Sequence, residues 1–335
     1  MLGGAVGDAL GAPVEFMGID EIRSRYGQAG VTRYETAYGR RGAITDDTQM
    51  ALFTAEGLIL STVRSEYAAA PTTAIYHAYL RWLYTQDTLR QNHLVDTHGT
   101  CAVIDGILTG HAALFCRRAP GRSCLSALRS GQMGTMDVPV NQSKGCGGVM
   151  RVAPVGLACS DIEKAFQLGC EAAAVTHGHP TGFLSAGHLA ALVSGLLSEK
   201  PLAAALVDAN RVLAQRPQHD ECLRAVEQAA DLSQHRSPSP EMLEHLGAGW
   251  VAEEALAIGL YCALTADDDF RTGALLAVNH SGDSDSTGSI CGAVIGAQTG
   301  IDGVPNEWRT GLELRTVIEE IAADLYDRFA ETNEN

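Results

Sequence analysis

Apolar residues recur at three- and four-residue spacing along most of the chain, the period of a helix with one face turned to a core. The pattern predicts helices over Thr48 to Leu60, Thr72 to Tyr84, Thr181 to Leu197, Leu202 to Leu213 and Asp220 to Leu232. It predicts more over Val251 to Leu264, Asp268 to Val278 and Leu312 to Phe329. A further one reaches Val175 from Ser160-Asp-Ile-Glu163, which fits a capping box: the serine side chain and the glutamate carboxylate satisfy free amides of the first turn. Runs of alternating β-branched residues are nearly absent, so the expected fold class is all-α. Ser233 to Pro240 (SQHRSPSP) reads as a surface loop, and helical patterns of the same kind resume directly after it. Residues 1–335 are therefore expected to form a single compact multi-helix domain. Gly27 to Ile44 mixes Arg33, Tyr34, Tyr38, Arg40 and Arg41 with glycines and without helical spacing, as a long ordered loop would.

Composition narrows the function classes. With 46% hydrophobic and 19% charged residues, the 335-residue chain has ample material for a packed interior and is not a disordered tail. Lys plus Arg number 24 against 40 Asp plus Glu, a formal charge of −16 that repels nucleic-acid phosphates and anionic membranes. No basic patch offsets it, so neither a nucleic acid nor a membrane is expected as a partner. The longest apolar stretches, Leu184 to Leu197 and Ile290 to Ala297, read as too short, or too interrupted by Gly, Ser and His, to span a bilayer. Nine cysteines are scattered singly with no CxxC pair, which suits a reducing compartment better than a disulfide or zinc framework. The first residues lack a basic region and meet an acid within the first ten, so they do not read as a secretory signal, and the expected location is cytoplasmic. Left over are 36 glycines, more than one residue in ten, in a chain that otherwise looks helical.

Candidate chemistry gathers in two acidic clusters, each opening a helical segment. The first is Thr45-Asp46-Asp47-Thr48; the second, more than two hundred residues later, is Ser281-Gly-Asp283-Ser-Asp285-Ser286-Thr287-Gly288. Either alone is what an ordinary helix start looks like, since Ser, Thr and Asp cap helices and acids favour the N-terminal dipole. Adjacent carboxylates exceed what one cap needs, however, and Asp283 and Asp285 alternate with hydroxyl residues as hard divalent cations require of oxygen ligands. Brought together, four carboxylates with the hydroxyls of Thr45 and Ser286 would hold two Mg²⁺ or Mn²⁺ ions. An EF-hand is excluded, because the Gly and the terminal Glu of a calcium loop are missing at their offsets. A two-metal phosphatase or nuclease site stays open on ligand type alone.

Three further segments add to this. Gly3-Gly-Ala-Val-Gly-Asp8-Ala-Leu-Gly-Ala-Pro-Val-Glu15 spaces glycines along one helix face and ends on an acid, which by itself is an ordinary surface residue at a helix end. Ser143-Lys144-Gly145-Cys146-Gly147-Gly148 is a glycine-rich turn whose backbone amides could approach a pyrophosphate. It is neither a Walker A nor a Rossmann fingerprint, because the lysine precedes the glycines and no βαβ unit surrounds it. Thr176-His177-Gly178-His179 places two histidines at a helix break, without the i, i+4 spacing of a zinc pair.

The order of these motifs carries a resemblance. GDALGAPVE, TDDT, GCGGVMRVAP, TH and GDSDSTGSICGAVIGA resemble, in order and spacing from Gly3 to Gly300, the ADP-ribosylglycohydrolase family of the dinitrogenase-reductase-activating type. The resemblance implies an all-α single domain with a dinuclear Mg²⁺ or Mn²⁺ centre held by Thr45, Asp46, Asp47, Asp283, Asp285 and Ser286, the last standing where Thr is frequent. It implies Glu15 as the acid/base beside the metals, with Asp47 and Asp285 also in the catalytic set. Ser143, Lys144, Gly145, Cys146 and Gly147 align with the loop that holds the ADP-ribose phosphates, and His177 with the histidine near that ligand. Cys146 departs from the Asn of well-known members.

The activity so implied is hydrolysis of the α-glycosidic bond between ADP-ribose and an acceptor, here expected to be protein arginine, by a monomer whose partner is an ADP-ribosylated protein or ADP-ribose conjugate. Asp96 lies about where the nitrogenase-regulating members carry an acid for the guanidinium. Serine-linked, nucleobase-linked or small-molecule ADP-ribose are alternative substrates. Two other classes stay open: a non-catalytic ADP-ribose-binding or toxin-blocking immunity protein, and a two-metal phosphohydrolase, which would release AMP or ribose phosphate rather than intact ADP-ribose.

Overall fold

Glycine sets how the two ends of the chain meet. Helix α1 (Leu2–Gly11) crosses the long helix α14 (Ser284–Gly303) so closely that a Cβ added to Gly7 would fall 1.9 Å from the Gly288 carbonyl oxygen, and one on Gly3 2.3 Å from that of Gly292. Only bare backbone fits on both sides, which accounts for part of the glycine excess. Because Glu15 follows α1 and Asp283 and Asp285 begin α14, this crossing also holds those acids at one end of the molecule.

The structure, a computed structural model, describes residues 1–67, 70–86, 106–234 and 238–330. Asp96 and residues 235–237 of the expected surface loop lie outside them. Among the described residues there are 16 α-helices and one two-stranded antiparallel ladder, so the all-α class holds. The ladder pairs Thr36–Ala37 with Arg40–Arg41 across a turn where Tyr38 and Gly39 take positive φ, so the segment expected to be loop folds back on itself as a hairpin.

At the centre lies α8 (Pro180–Leu197), in which every residue from Leu184 to Leu196 is buried. By length and composition it is apolar enough to cross a membrane, contrary to the expectation from its Gly, Ser and His residues. Its apolarity is that of a core helix enclosed by others: α7 (Ile162–Ala174) and α9 (Leu202–Leu213) pack along it, as does α12 (Ala252–Thr265). Helix α3 (Asp46–Val63) and α4 (Pro71–Gln86) form a second layer, joined by a fully buried pair in which Arg81 Nε donates to Glu56 Oε2 at 2.7 Å.

Several boundaries move. The cap of α7 is Asp161 rather than Ser160: its carboxylate accepts from the Glu163 and Lys164 amides at 3.0 and 3.2 Å. The predicted Leu312 to Phe329 helix starts later, at Arg315, because Leu314 takes φ +55° and the preceding residues turn into the core. Helices at Ile19–Tyr26, Arg122–Arg129 and Asn306–Gly311 have no counterpart in the periodicity.

Candidate active site

The two acidic helix starts face one another across a cavity of about 520 Å³. Asp46 and Asp47 occupy the first turn of α3, where Thr45 is the N-cap and its hydroxyl accepts from the Asp47 amide at 3.2 Å. Asp283 stands at the N-cap position of α14 without a side-chain capping bond, and Asp285 and Ser286 sit in the first turn. Asp46, Asp47, Asp283, Asp285, Ser286 and Glu15 all line the cavity, whereas Thr45 is fully buried behind it. Glu15, Asp283 and Asp285 each offer an oxygen within 4.8 Å of the other two.

Residues without a role in the sequence reading hold this wall in place. The buried Asp8 carboxylate accepts from the Thr45 amide at 3.0 and 3.1 Å and from the Thr48 amide at 3.1 Å, and the Thr48 hydroxyl donates to it as well. Glu313 reaches the same loop from the other side: it accepts from the Ile44 amide at 3.1 Å and pairs with Arg118 at 3.1 Å and Arg40 at 3.0 Å. Arg118 in turn donates to the Ile44 carbonyl, and the Asp46 amide donates to the Arg118 carbonyl. On the α14 side, Glu254 accepts from the amides of Ala248 and Gly249, and the Asp283 amide donates to the Ala248 carbonyl.

Packing so many acids together raises the cost of their charge. Burial, then repulsion from Asp285 and Asp283, pushes Glu15 up to about 11. Burial and Asp285 push Asp8 up to about 7. Asp46 and Asp47 rise well above the usual carboxylate range through burial and then Asp285, and so does Asp283 for the same reasons. No basic side chain among the described residues pairs with Glu15, Asp46, Asp47, Asp283 or Asp285. Glu15 Oε2 and Asp47 Oδ1 are buried without a hydrogen-bond partner. Such a donor set fits hard divalent cations, which take several carboxylate oxygens and would neutralise the charge that nothing else offsets.

The opposite wall is different in kind. The glycine turn runs through Gly145, Cys146 and Gly147, with His177 behind it, and these four residues line the cavity together with Gly121, Arg122 and Ser123. The Cys146 thiol donates to Asp283 Oδ2 at 2.8 Å, so it meets the acidic wall. Two of the expected ligand residues stand off the cavity. The Ser143 hydroxyl bonds that of Ser123 at 2.7 Å, and Lys144 points away to Glu221, at 2.7 Å, and Glu253. What Lys144 anchors is the backbone: its carbonyl accepts from the Ala252 amide at 2.8 Å, tying the turn to α12. Phe16 and Trp250 stack over the mouth, ring centroids 5.7 Å apart.

The family model described as ADP-ribosylglycohydrolase matches residues 1–335. An ADP-ribosyl-(dinitrogen reductase) glycohydrolase of Rhodospirillum rubrum is 27% identical, covering 94% of this chain and 89% of its own. The ADP-ribosylarginine hydrolase Tri1 of Pseudomonas putida is 25% identical over 100% of this chain and 78% of its own. A solved structure titled ADP-ribosylglycohydrolase-related protein complex superposes with a TM-score of 0.62 at 27% identity, covering 98% of this chain and 95% of that one.

Proposed function

Because the chain belongs to the ADP-ribosylglycohydrolase family, hydrolases of glycosidic bonds, we propose that it releases ADP-ribose from an arginine side chain of a modified protein. The observation that carries this reading is a cavity with two unlike walls. One is built of unpaired buried carboxylates, the other of a glycine turn and an uncharged histidine. A ligand that fits both ends presents a sugar diol to the first and phosphates to the second. The backbone amides of a glycine turn donate to phosphate oxygens despite the chain's overall charge.

On this reading Asp46, Asp47, Asp283 and Asp285, with the Ser286 hydroxyl, hold a pair of divalent cations, Mg²⁺ or Mn²⁺. Bound there, the cations would supply Lewis-acid charge to the ribose hydroxyls and to a water. Asp47 and Asp285, which line the cavity, would be among the carboxylates that hold the cations there. Water oxygen bonds to the anomeric carbon as its bond to the guanidine nitrogen breaks. Glu15 Oε2, buried and without a partner, gives a proton to the departing nitrogen and takes one from the water that becomes the new anomeric hydroxyl. An acidic wall also receives the released guanidinium well.

Incubation with an arginine-ADP-ribosylated protein, followed by mass spectrometry of the nucleotide, tests the reading. Intact ADP-ribose is expected, lost in strong chelator and restored by Mg²⁺ or Mn²⁺. AMP or ribose phosphate would indicate attack at phosphorus and overturn it. Turnover of serine-linked or nucleobase-linked substrate alone would overturn the choice of arginine.

A further inference from the structure

Arg151 is completely buried, and no carboxylate among the described residues pairs with it. Burying a guanidinium without an acid is costly, so its neutral partners matter. Its Nη2 donates to the Ala172 carbonyl at 3.1 Å and to Thr176 Oγ1 at 2.7 Å, Nη1 approaches the sulfurs of Met50 and Cys124 at 3.5 Å, and its Cζ lies 4.1 Å from the Tyr79 ring centroid. Thr176 Oγ1 is also 2.8 Å from His177 Nδ1.

Donor and acceptor counting favours one run of the protons. Arginine has donors only, so Thr176 Oγ1 must accept from it, and the one hydroxyl proton of Thr176 is free to go on. The imidazole nitrogen is the best acceptor in reach, the alternative being a sulfur that Arg151 already approaches. The guanidinium beside the oxygen polarises the O–H toward donation. A hydroxyl that donates to Nδ1 leaves the ring proton on Nε2. That atom lies along the glycine turn: a Cβ built on Gly145 would be 3.6 Å from Nε2, and one on Gly147 3.4 Å.

We propose that Arg151 and Thr176 are positioning residues that lock His177 as an Nε2–H tautomer, an uncharged donor aimed into the cavity at the diphosphate of a nucleotide-sugar ligand. The proposal rests on the functional reading above for the ligand, but not for the relay itself. Neutrality of the ring agrees with its surroundings: burial, then the Arg151 charge, pushes His177 down to about 3. A neutral donor suits this place, because it holds phosphate oxygens without adding an imidazolium beside a buried guanidinium. The charge of Arg151 still reaches the phosphates, through one hydroxyl and one ring.

The test is a long-range ¹H–¹⁵N spectrum of ¹⁵N-histidine-labelled protein, with His177 assigned by its disappearance in His177→Gln, together with the Kd for ADP-ribose in Mg²⁺. The ligand-free wild type should show a bare Nδ1 and a protonated Nε2. Thr176→Val should mix or reverse the tautomer and weaken ADP-ribose binding about tenfold, and Thr176→Ser should restore both. A wild-type ring protonated at Nδ1 overturns the relay, and so does a Thr176→Val protein with unchanged tautomer and Kd. Wild-type protein that binds no ADP-ribose would overturn the functional reading instead, and the tautomer of the free protein would still decide the relay.

Discussion

Asp8 accepts hydrogen bonds from both the amide and the hydroxyl of Thr48, so a carboxylate in the first helix fixes the start of the third. Asp8→Ala would strand the Thr45 and Thr48 amides in the interior. We expect a loss of about 3 kcal/mol in urea unfolding, a large value of the kind that unsatisfied buried donors produce. Mn²⁺ affinity, measured by titration calorimetry, should fall with it, since Asp46 and Asp47 lose their support. A variant of wild-type stability and metal affinity would remove Asp8 from this role.

Asp285 is the charge felt most widely in the cluster, raising Asp8, Glu15, Asp46, Asp47 and Asp283 together. Asp285→Asn should therefore act in opposite directions on function and on stability. Turnover and Mn²⁺ binding should drop by roughly two orders of magnitude or more while the helical circular dichroism persists. In chelator near pH 8 the variant should be more stable than wild type, by about 1 kcal/mol, because the remaining buried acids lose their strongest neighbour. Equal stabilities in chelator would contradict the repulsion.

The start of both acidic helices was legible in the sequence because caps and first-turn acids are local signals, and Leu202–Leu213 matched its periodicity to the residue. The supports of the site were not legible. Asp8 meets its partners 37 and 40 residues away, and Glu313 meets Ile44 at a separation of 269. No spacing rule reaches that far. The late start of the last helix goes with the same contacts: Glu313 reaches Ile44 and Arg118, and Leu314 after it takes φ +55°. The partners of the Lys144 side chain were hidden for a related reason, since Glu221 and Glu253 come from helices far along the chain.

Acid should unfold the protein partly through its buried histidines. His188 Nε2 donates to Asn210 Oδ1 at 2.8 Å, and burial pushes the ring down to about 4. The unfolded chain takes up that proton near pH 6.5, well before the folded one. The contribution of this residue is therefore whole above pH 6.5 and is lost as pH falls toward 4, by up to roughly 3 kcal/mol. His280, also held near 4, and His177 add to the slope in the same direction. The buried acids of the cluster work in the opposite sense, so the readout is the difference: between pH 7 and 4 the wild-type urea midpoint should fall relative to that of His188→Gln, and an unchanged difference would mean that the ring is already charged in the fold.

Gly7→Ala tests the crossing of α1 and α14. The new methyl would meet a backbone oxygen, which cannot rotate aside, so the helices must part. We expect about 3 kcal/mol of destabilisation and a loss of turnover larger than that of thermal midpoint would suggest, because parting the helices separates Glu15 from Asp285. Wild-type activity in Gly7→Ala would show that the acids are held together by other contacts.

The aromatic pair at the cavity mouth gives the molecule an optical reporter. Of the three tryptophans, Trp82 and Trp308 are sealed in the interior at 0% and 2% exposure, while Trp250 is 42% exposed and stacked on Phe16. Emission accessible to a soluble quencher therefore comes from the mouth alone. Ligand entry, release and the passage of a protein-borne substrate become observable by light, without a label and without turnover.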